Sequence, residues 1–319
     1  MSHKYFQRYD KELESYEEAL SISCRSLDSK NESSTLFSLG LYHYKSGNYT
    51  KAIEFYEKSL KIVRLLQDKN LEGLVLESLG SSYLSMSQYT KAIEYYEKIL
   101  STARNNSVRE NLGRSYFAIG NYAKAIDHHE QALVIARKTE DRISEGTSLS
   151  SLELVYITLG SDLKAVEYYE ESLASAREIK DRPWQITELN NLGNIYFYLG
   201  PDAKAIEYYE KSLTFAREIR DRVSEGISLG NLGNIYGRQG QYAKAITYQE
   251  KSLAIAQDIK YRRGEGIALG NLGVSYTSLG QHTEAIEYQA QSLSLARELK
   301  DLEREHQALS NLGLALTKK

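Results

Sequence analysis

The chain has 319 residues, of which 41% are hydrophobic and 26% charged, and its formal net charge is −3. Such a chain can fold, but its slightly acidic balance argues against nucleic acid as the main partner, because phosphate binding normally requires a basic face. The sequence has no apolar stretch near the roughly 20 residues that span a bilayer, and its first residues lack the apolar core of a signal peptide. We therefore expect a cytoplasmic protein with no nucleic-acid or membrane partner.

The chain contains a repeat that is marked by leucine-glycine pairs. The pairs begin at Leu39, Leu79, Leu112, Leu192, Leu232, Leu272 and Leu312, and Leu152-Glu153 fills the gap between the third and the fourth. The successive spacings are 40, 33 and then 40 five times. A fixed period in this range is typical of solenoids, in which each repeat contacts mainly its neighbours. With two prolines and no linker-like stretch, the sequence predicts a single domain over residues 1–319.

Each repeat predicts a hairpin of two amphipathic helices, called here the first and the second helix. In one repeat the first helix carries Leu229, Leu232 and Tyr236 at helical intervals. The apolar or small set of its second helix is Ala245, Ile246, Gln249, Ser252 and Leu253. We expect Gly233 to allow close approach of the two helices, with Tyr236 filling the gap. Aspartates occupy the predicted N-caps between repeats, at Asp141, Asp181 and Asp221.

This pattern resembles the tetratricopeptide repeat. The signature of that family is matched here by Leu192, Gly193, Tyr196, Ala205, Tyr209, Ser212 and Leu213. The standard repeat has about 34 residues and ends near a proline, which this chain lacks. Longer repeats of this kind resemble those of kinesin light chain, of spindle-orientation adaptors that regulate G proteins, and of bacterial multi-repeat proteins. The resemblance implies an all-α, right-handed superhelical solenoid of about seven hairpins with half-repeats at 1–30 and 302–319, which holds other proteins.

The region 100–165 departs from the pattern. The repeat there is shorter, and Ser107 and Glu110 form a predicted capping box that starts the next helix at once. Arg109 occupies a position that holds leucine in the other repeats, and Glu153 replaces the glycine of the leucine-glycine pair. We expect an irregular joint, which serves either as a hinge or as sequence drift that a solenoid tolerates.

The helix face opposite to the predicted core is the candidate binding surface. In one repeat it carries Gly230, Asn231, Asn234, Gly237 and Arg238. Stacked repeats then give a row of asparagines, namely Asn111, Asn191, Asn231, Asn271 and Asn311, with Asn190, Asn194 and Asn234 beside it. The resemblance places this face in a concave groove, where amides that both donate and accept can hold an extended peptide. Alternatively, each asparagine bonds to a neighbouring repeat and only fixes the stacking angle.

Aromatic residues near the asparagines are predicted to select side chains of the peptide. They are Phe37, Tyr44, Phe117, Phe197 and Tyr198. The predicted peptide-binding residues are therefore Asn111, Asn191, Asn194, Asn231, Asn234, Asn271, Phe117, Phe197, Tyr198 and Arg238. Arginines also recur late in the second helices, at Arg64, Arg104, Arg137, Arg177, Arg217 and Arg297. We expect these to neutralise Glu178, Glu218 and Glu298 on the same helices.

Catalytic and metal sites are not indicated. His128 and His129 are the only histidine cluster, but adjacent helical side chains point about 100° apart, and aromatic substitution at tyrosine positions explains them better. The single cysteine, Cys24, excludes an internal disulfide and is expected to be structural filler. We predict a non-catalytic scaffold without cofactor that binds a protein or peptide. The alternatives are a sensory module of a larger bacterial signalling protein and a pheromone-peptide receptor, and self-association stays open.

Overall fold

The computed structural model describes residues 3–100 and 106–318, with the side chains of residues 11–100 and 106–318. This part of the chain contains sixteen α-helices and no strand, so the all-α prediction is confirmed. The contacts divide the chain into two compact bodies, an N-terminal half at 1–159 and a C-terminal half at 160–319. The boundary falls inside the irregular region 100–165, and a single domain over 1–319 stays a prediction.

The helices of each half follow the predicted repeat. The N-terminal half contains α1 His3–Arg25, α2 Ser29–Lys45, α3 Tyr49–Leu66, α4 Lys69–Ser85, α5 Tyr89–Leu100, α6 Asn106–Ala118, α7 Tyr122–Lys138 and α8 Arg142–Thr158. The C-terminal half contains α9 Asp162–Glu178, α10 Arg182–Leu199, α11 Asp202–Glu218, α12 Arg222–Arg238, α13 Tyr242–Asp258, α14 Arg262–Leu279, α15 His282–Glu298 and α16 Leu302–Thr317. Six hairpins pair α2 with α3, α4 with α5, α6 with α7, α10 with α11, α12 with α13, and α14 with α15.

Aspartate side chains start most first helices, as predicted. Asp141, Asp181 and Asp221 each accept a hydrogen bond from the backbone N–H three residues later, at 3.1, 2.9 and 3.1 Å. These bonds satisfy N–H groups that have no partner within the helix. The first helix α14 differs, because Tyr261 occupies its N-cap and provides no side-chain bond. At the other end of α10, Gly200 has a φ of 108°, which favours glycine at that helix stop.

The glycines of four leucine-glycine pairs, Gly40, Gly80, Gly113 and Gly193, lie against an aromatic ring of the second helix, whereas Gly233 and Gly273 lie against Gln249 and Gln289. A Cβ placed on Gly193 would lie 2.5 Å from the ring of Tyr209, and one on Gly113 would lie 2.4 Å from the ring of His129. The expectation that Tyr236 fills this space is wrong. The Tyr236 ring instead stacks on Tyr248, with a centroid separation of 5.2 Å. The glycine therefore makes room for a large side chain of the opposite helix, which is Gln249 at Gly233 and an aromatic ring in the earlier pairs.

The first helices of consecutive hairpins form one surface in each half. Contacts join α2 to α4 and α4 to α6 in the N-terminal half, and α10 to α12 and α12 to α14 in the C-terminal half. Within the described residues of each half, no such contacts join the second helices of consecutive hairpins. The first helices therefore lie closer together, and we call the surface that they share the first-helix face.

Two local predictions are wrong. Ser107 is the second residue of α6 and donates to the carboxylate of Glu77, while Glu110 points into the core, so the predicted capping box does not form. Cys24 is exposed on α1 and does not fill the core. Arg109, which stands where the other repeats have leucine, donates a hydrogen bond to the side-chain oxygen of Gln131 on α7. Arg104 lies outside the described residues.

Candidate functional site

A row of asparagines lies on the first-helix face of the C-terminal half. Asn191, Asn231 and Asn271 occupy the same position in α10, α12 and α14, and all three are half-buried. Asn194 and Asn234 follow three residues later in α10 and α12, which places them on the same side of each helix. We call these five residues the asparagine row.

Hydrogen bonds inside the protein orient part of the asparagine row. Tyr209 Oη donates to Asn194 Oδ1 at 2.7 Å, and Asn231 Nδ2 lies 3.4 Å from the same oxygen. Gln249 Nε2 lies 3.4 Å from Asn234 Oδ1. Burial raises the pKa of Tyr209, so its hydroxyl keeps its proton and remains a donor at neutral pH. The amides are thus held in place before any ligand arrives.

Asn190 has a different role from its neighbour Asn191. Its side chain is 9% exposed, and its Oδ1 accepts a hydrogen bond from Ser228 of α12 at 3.1 Å. Asn190 therefore fixes the stacking of α10 on α12, and the expectation that it belongs to the binding surface is wrong. The sequence left open whether each asparagine only fixes the stacking of repeats, and Asn190 has that role.

Aromatic side chains flank the asparagine row at the end of α10. Tyr198 is 81% exposed, and its ring meets that of Phe197 edge to face at 5.4 Å. The guanidinium of Arg238 lies 3.8 Å from the centre of the Phe197 ring, donates to the Phe197 carbonyl and forms an ion pair with Asp202. Arg238 therefore braces Phe197, and an acidic ligand would have to compete with Asp202 for it.

Two cavities meet at the asparagine row. The first, between α10 and α12, has a volume of about 230 Å³ and is lined by Asn194, Phe197, Tyr198, Tyr209, Asn231 and Asn234. The second, between α12 and α14, has a volume of about 240 Å³ and is lined by Asn231, Asn234, Asn271 and a set of apolar residues from α12, α13 and α14. Asn231 and Asn234 border both cavities, so the two cavities lie next to each other along three first helices.

The remaining predicted residues lie in the N-terminal half. Asn111 is half-buried on α6. The Phe117 ring packs on Tyr122 of the following helix, with centroids 5.6 Å apart, and is partly buried against the core. Phe37 similarly packs on Tyr56. These two aromatic rings therefore pack within their own hairpins.

Sequence reasoning missed a buried polar cluster in the N-terminal half. His129 Nδ1 lies 2.9 Å from Glu110 Oε2, and Ser148 and Ser151 of α8 both donate to the Glu110 carboxylate. A serine that donates to a carboxylate and not to the imidazole is not activated as a nucleophile. Glu110 occupies the position of Asn190, which bonds Ser228 in the same way. Polar residues recur at this position, also as Glu77, Ser150 and Ser310, and this recurrence was the available signal.

The recurrent arginines bond across the joint between hairpins. Arg137 Nε donates to Glu145 at 3.1 Å, and Arg217 Nε donates to Glu225 at 2.9 Å, in each case eight residues later on the next first helix. The prediction that Arg217 pairs with Glu218 on the same helix is therefore wrong. Gln257, which replaces the arginine in one repeat, keeps a longer bond to Glu265 at 3.3 Å. These bonds link the end of one hairpin to the start of the next.

The described residues contain no group of three or more histidine, cysteine, aspartate or glutamate side chains that could hold a metal ion. No helix in the part of the chain that the structure describes is long and apolar enough to cross a membrane.

Comparison with known sequences identifies the repeat. The sequence profile of the tetratricopeptide repeat matches residues 2–64, 31–105, 106–178 and 185–258, and a second profile of this repeat matches 267–299. The chain belongs to the tetratricopeptide repeat family. Tetratricopeptide repeats build protein-interaction scaffolds, and this chain is such an array. A comparison with curated proteins gives no significant match.

Solved structures of tetratricopeptide arrays share the fold. A signal transduction ATPase with a tetratricopeptide repeat sensor from Pyrococcus horikoshii matches 97% of this chain with a TM-score of 0.61 and 19% identity. This chain spans about half the length of that protein, 49%. A tetratricopeptide repeat protein from Parabacteroides merdae matches 89% of this chain and 98% of its own, with a TM-score of 0.56 and 15% identity. The apo form of RapI matches 77% of this chain over 98% of its own length, with a TM-score of 0.54 and 16% identity.

Proposed function

We propose that this array is a non-catalytic scaffold that captures an extended peptide segment of a partner protein on the first-helix face of its C-terminal half. The observation that carries this proposal is that Asn231 and Asn234 border both cavities. A peptide laid across the three first helices would therefore meet an amide wherever it passes from one cavity to the next.

The chemistry of the asparagine row suits a peptide backbone. Each asparagine amide has two N–H donors and a carbonyl acceptor, which matches the alternating C=O and N–H groups of an extended chain. Hydrogen bonds to the backbone do not depend on the side chains of the ligand, so the row supplies affinity and the flanking cavities supply selectivity. Tyr198, which is mostly exposed beside Phe197, offers a face for an apolar or aromatic side chain.

The proposal is tested by selecting a random library of 12-residue peptides on the purified chain. The test variant replaces Asn191, Asn231 and Asn271 by alanine, and circular dichroism checks that it is folded. The matched control replaces Thr214, Thr247 and Thr283 by alanine, because these are exposed polar residues, one on each of the second helices α11, α13 and α15. We expect the selected peptides to bind the wild type and the control equally and to lose most of their affinity for the asparagine variant. The proposal is overturned if the library yields no binder, or if the selected peptides bind the asparagine variant as tightly as the wild type.

A receptor for a free peptide would use the same face, so the form of the ligand needs its own test. The selected peptide is compared as a free molecule and as an internal segment fused between two folded carrier proteins. Equal affinity for both forms supports the scaffold, since an internal segment has no free ends to recognise. Binding of the free form alone supports a peptide receptor instead.

A further inference from the structure

The cavity between α12 and α14 is a slot with apolar walls. Ile227 and Ile267 border it on the two first helices, and Ile255 and Ala256 of α13 lie at its floor. The two floor residues are buried, whereas Ile227 and Ile267 are 45% and 36% exposed at the rim. An open slot of about 240 Å³ with such a lining is large enough for one aliphatic or aromatic side chain, since a buried apolar cavity of about 150 Å³ accepts benzene.

Two glycines of α12 leave room in the slot, and α14 has glycine at the same two positions, Gly266 and Gly270. In α10 the same two positions are Ile186 and Asn190, which are buried at 1% and 9% exposure. In α12 they are Gly226 and Gly230, and both line the slot. Neither glycine has a positive φ. A Cβ added to Gly226 would lie 3.4 Å from Ile255, and one added to Gly230 would lie 3.4 Å from Ser252, which are ordinary contact distances. Neither backbone conformation nor packing therefore requires glycine at these positions.

The opposite wall of the slot departs from the repeat at the start of α14. Tyr261 stands at the N-cap of α14, where the neighbouring first helices α12 and α16 have Asp221 and Asp301. The Tyr261 ring lies over Gly264, where a Cβ would come within 2.5 Å of it, and both residues line the slot. In the next gap, between α14 and α16, Arg304 takes the position of Gly264 and the space shrinks to about 30 Å³.

The two glycines and the tyrosine N-cap are each unfavourable for the helix that carries them. Glycine inside a helix is less stable than alanine, and an N-cap without a side-chain acceptor leaves a helix N–H group unsatisfied. Residues that break local rules of stability without a packing reason are expected at functional sites. Among the residues that line the slot, Tyr261 departs from the neighbouring first helices, and a role in binding explains it; glycine recurs at the positions of Gly226 and Gly230 in α14, as Gly266 and Gly270.

Resting on the proposed function, we propose that this slot is the main specificity site and takes one uncharged apolar side chain of the captured peptide. Arg222 is the one charged residue among those that line the slot, and it is held by Glu225 at 2.5 Å and Asp258 at 3.6 Å. Its charge is therefore neutralised, and the slot offers no counter-charge to an acidic or basic side chain. Asn231 and Asn271 border the slot on either side, where they hold the peptide backbone that carries the side chain.

The test uses two variants and a control. Gly226→Ala with Gly230→Ala narrows the slot, and Tyr261→Asp restores the N-cap and removes the aromatic lining. The control is Gly73→Ala in α4, since a Cβ there meets nothing within 4 Å. The probes are the 12-residue library and the most enriched peptide that the wild type selects from it.

We expect the selected peptides to share one position that is restricted to leucine, isoleucine, valine, methionine or phenylalanine. Alanine at that position, or either slot variant, should weaken binding at least about tenfold, the effect of losing one buried apolar side chain. Both slot variants should nevertheless unfold at a higher temperature than the wild type, as should Gly73→Ala, which should bind normally.

Three results would overturn the inference. The first is a set of peptides that depend on the asparagine row but share no apolar position, which leaves the proposed function standing. The second is unchanged affinity in both slot variants. The third is a lower melting temperature in both slot variants, because the residues would then be structural. If the library yields no binder at all, the proposed function fails and the inference fails with it.

Discussion

Trp184 and Glu188 form a partly buried hydrogen bond one turn apart in α10, with Trp184 Nε1 2.9 Å from Glu188 Oε1. Glu188 is 2% exposed, and its other carboxylate oxygen has no hydrogen-bond partner. Burial raises the pKa of the Glu188 carboxyl, although hydrogen bonds from Ser172, Trp184 and Asn191 oppose the shift. The carboxyl beside Asn191 therefore keeps its proton to a higher pH than an ordinary glutamic acid.

This raised pKa predicts a stability that falls as the pH rises. When the folded pKa exceeds the unfolded one, the stabilisation is complete below the unfolded value, near 4.5, and is lost as the pH rises through the folded pKa. Glu188→Gln should remove this dependence and become more stable than the wild type at neutral and alkaline pH. Urea unfolding followed by the fluorescence of Trp184, the single tryptophan, measures the difference. Equal stabilities of the two proteins across the pH range would contradict the prediction.

The contact between Gly193 and Tyr209 predicts a sharp steric effect. Gly193→Ala should lower the free energy of unfolding by about 1–3 kcal/mol, because the new Cβ would lie 2.5 Å from a ring that is itself buried. Gly73→Ala is the matched control and should raise stability by up to about 1 kcal/mol, since nothing opposes its methyl group. Urea denaturation of both variants measures the effect, and a neutral Gly193→Ala would show that the ring moves aside freely.

The Glu110 and His129 pair predicts a strong coupling. His129→Tyr alone should destabilise the protein by about 1–3 kcal/mol, since the buried Glu110 carboxylate loses a partner. Adding Glu110→Asn reproduces the Asn190 and Tyr209 combination of another repeat and should recover part of that loss. A double-mutant cycle in urea should give a coupling energy of about 0.5–3 kcal/mol. Additive effects of the two substitutions would mean that the residues act independently.

The bond between Arg217 and Glu225 predicts a small effect despite its recurrence. Arg217 is about half exposed, and Glu225 keeps a second ion pair with Arg222 at 2.5 Å. Arg217→Gln should therefore cost less than about 1 kcal/mol, and less still at high salt. Gln257 already replaces the arginine in one repeat. Thermal unfolding at two salt concentrations checks this, and a loss of several kcal/mol would show that the joint depends on the arginine.

The repeated geometry of the fold was predictable because it follows from local rules. Leucine-glycine spacing gave the register of the helices, and the aspartates at Asp141, Asp181 and Asp221 cap the helices that they precede. The identity of the ring that fills the glycine contact was not predictable in the same way. Tyr209 and Tyr236 both face the interior of a hairpin, and the periodicity of one helix does not reveal which residue the other helix presents.

The candidate site was predictable to the level of a helix face. Asn190 and Asn191 are adjacent and identical in type, so composition could not separate the buried one from the half-buried one. The pairing of Arg238 with Asp202 joins residues 36 apart and depends on how two hairpins stack. The slot was missed because part of its space comes from the absence of side chains at Gly226 and Gly230, and hydrophobic patterns record only the side chains that are present.

The contrast between Ile186 with Asn190 and Gly226 with Gly230 also bears on how such arrays diversify. The helices recur at a 40-residue spacing, but the space between them does not: it is about 240 Å³ beside Gly226 and Gly230 and about 30 Å³ beside Gly266 and Gly270, where Arg304 takes the place of Gly264. An array can thus gain or lose a binding subsite while its helical framework stays unchanged. An array of near-identical repeats can then acquire a new partner preference in small steps, none of which requires the fold to be rebuilt.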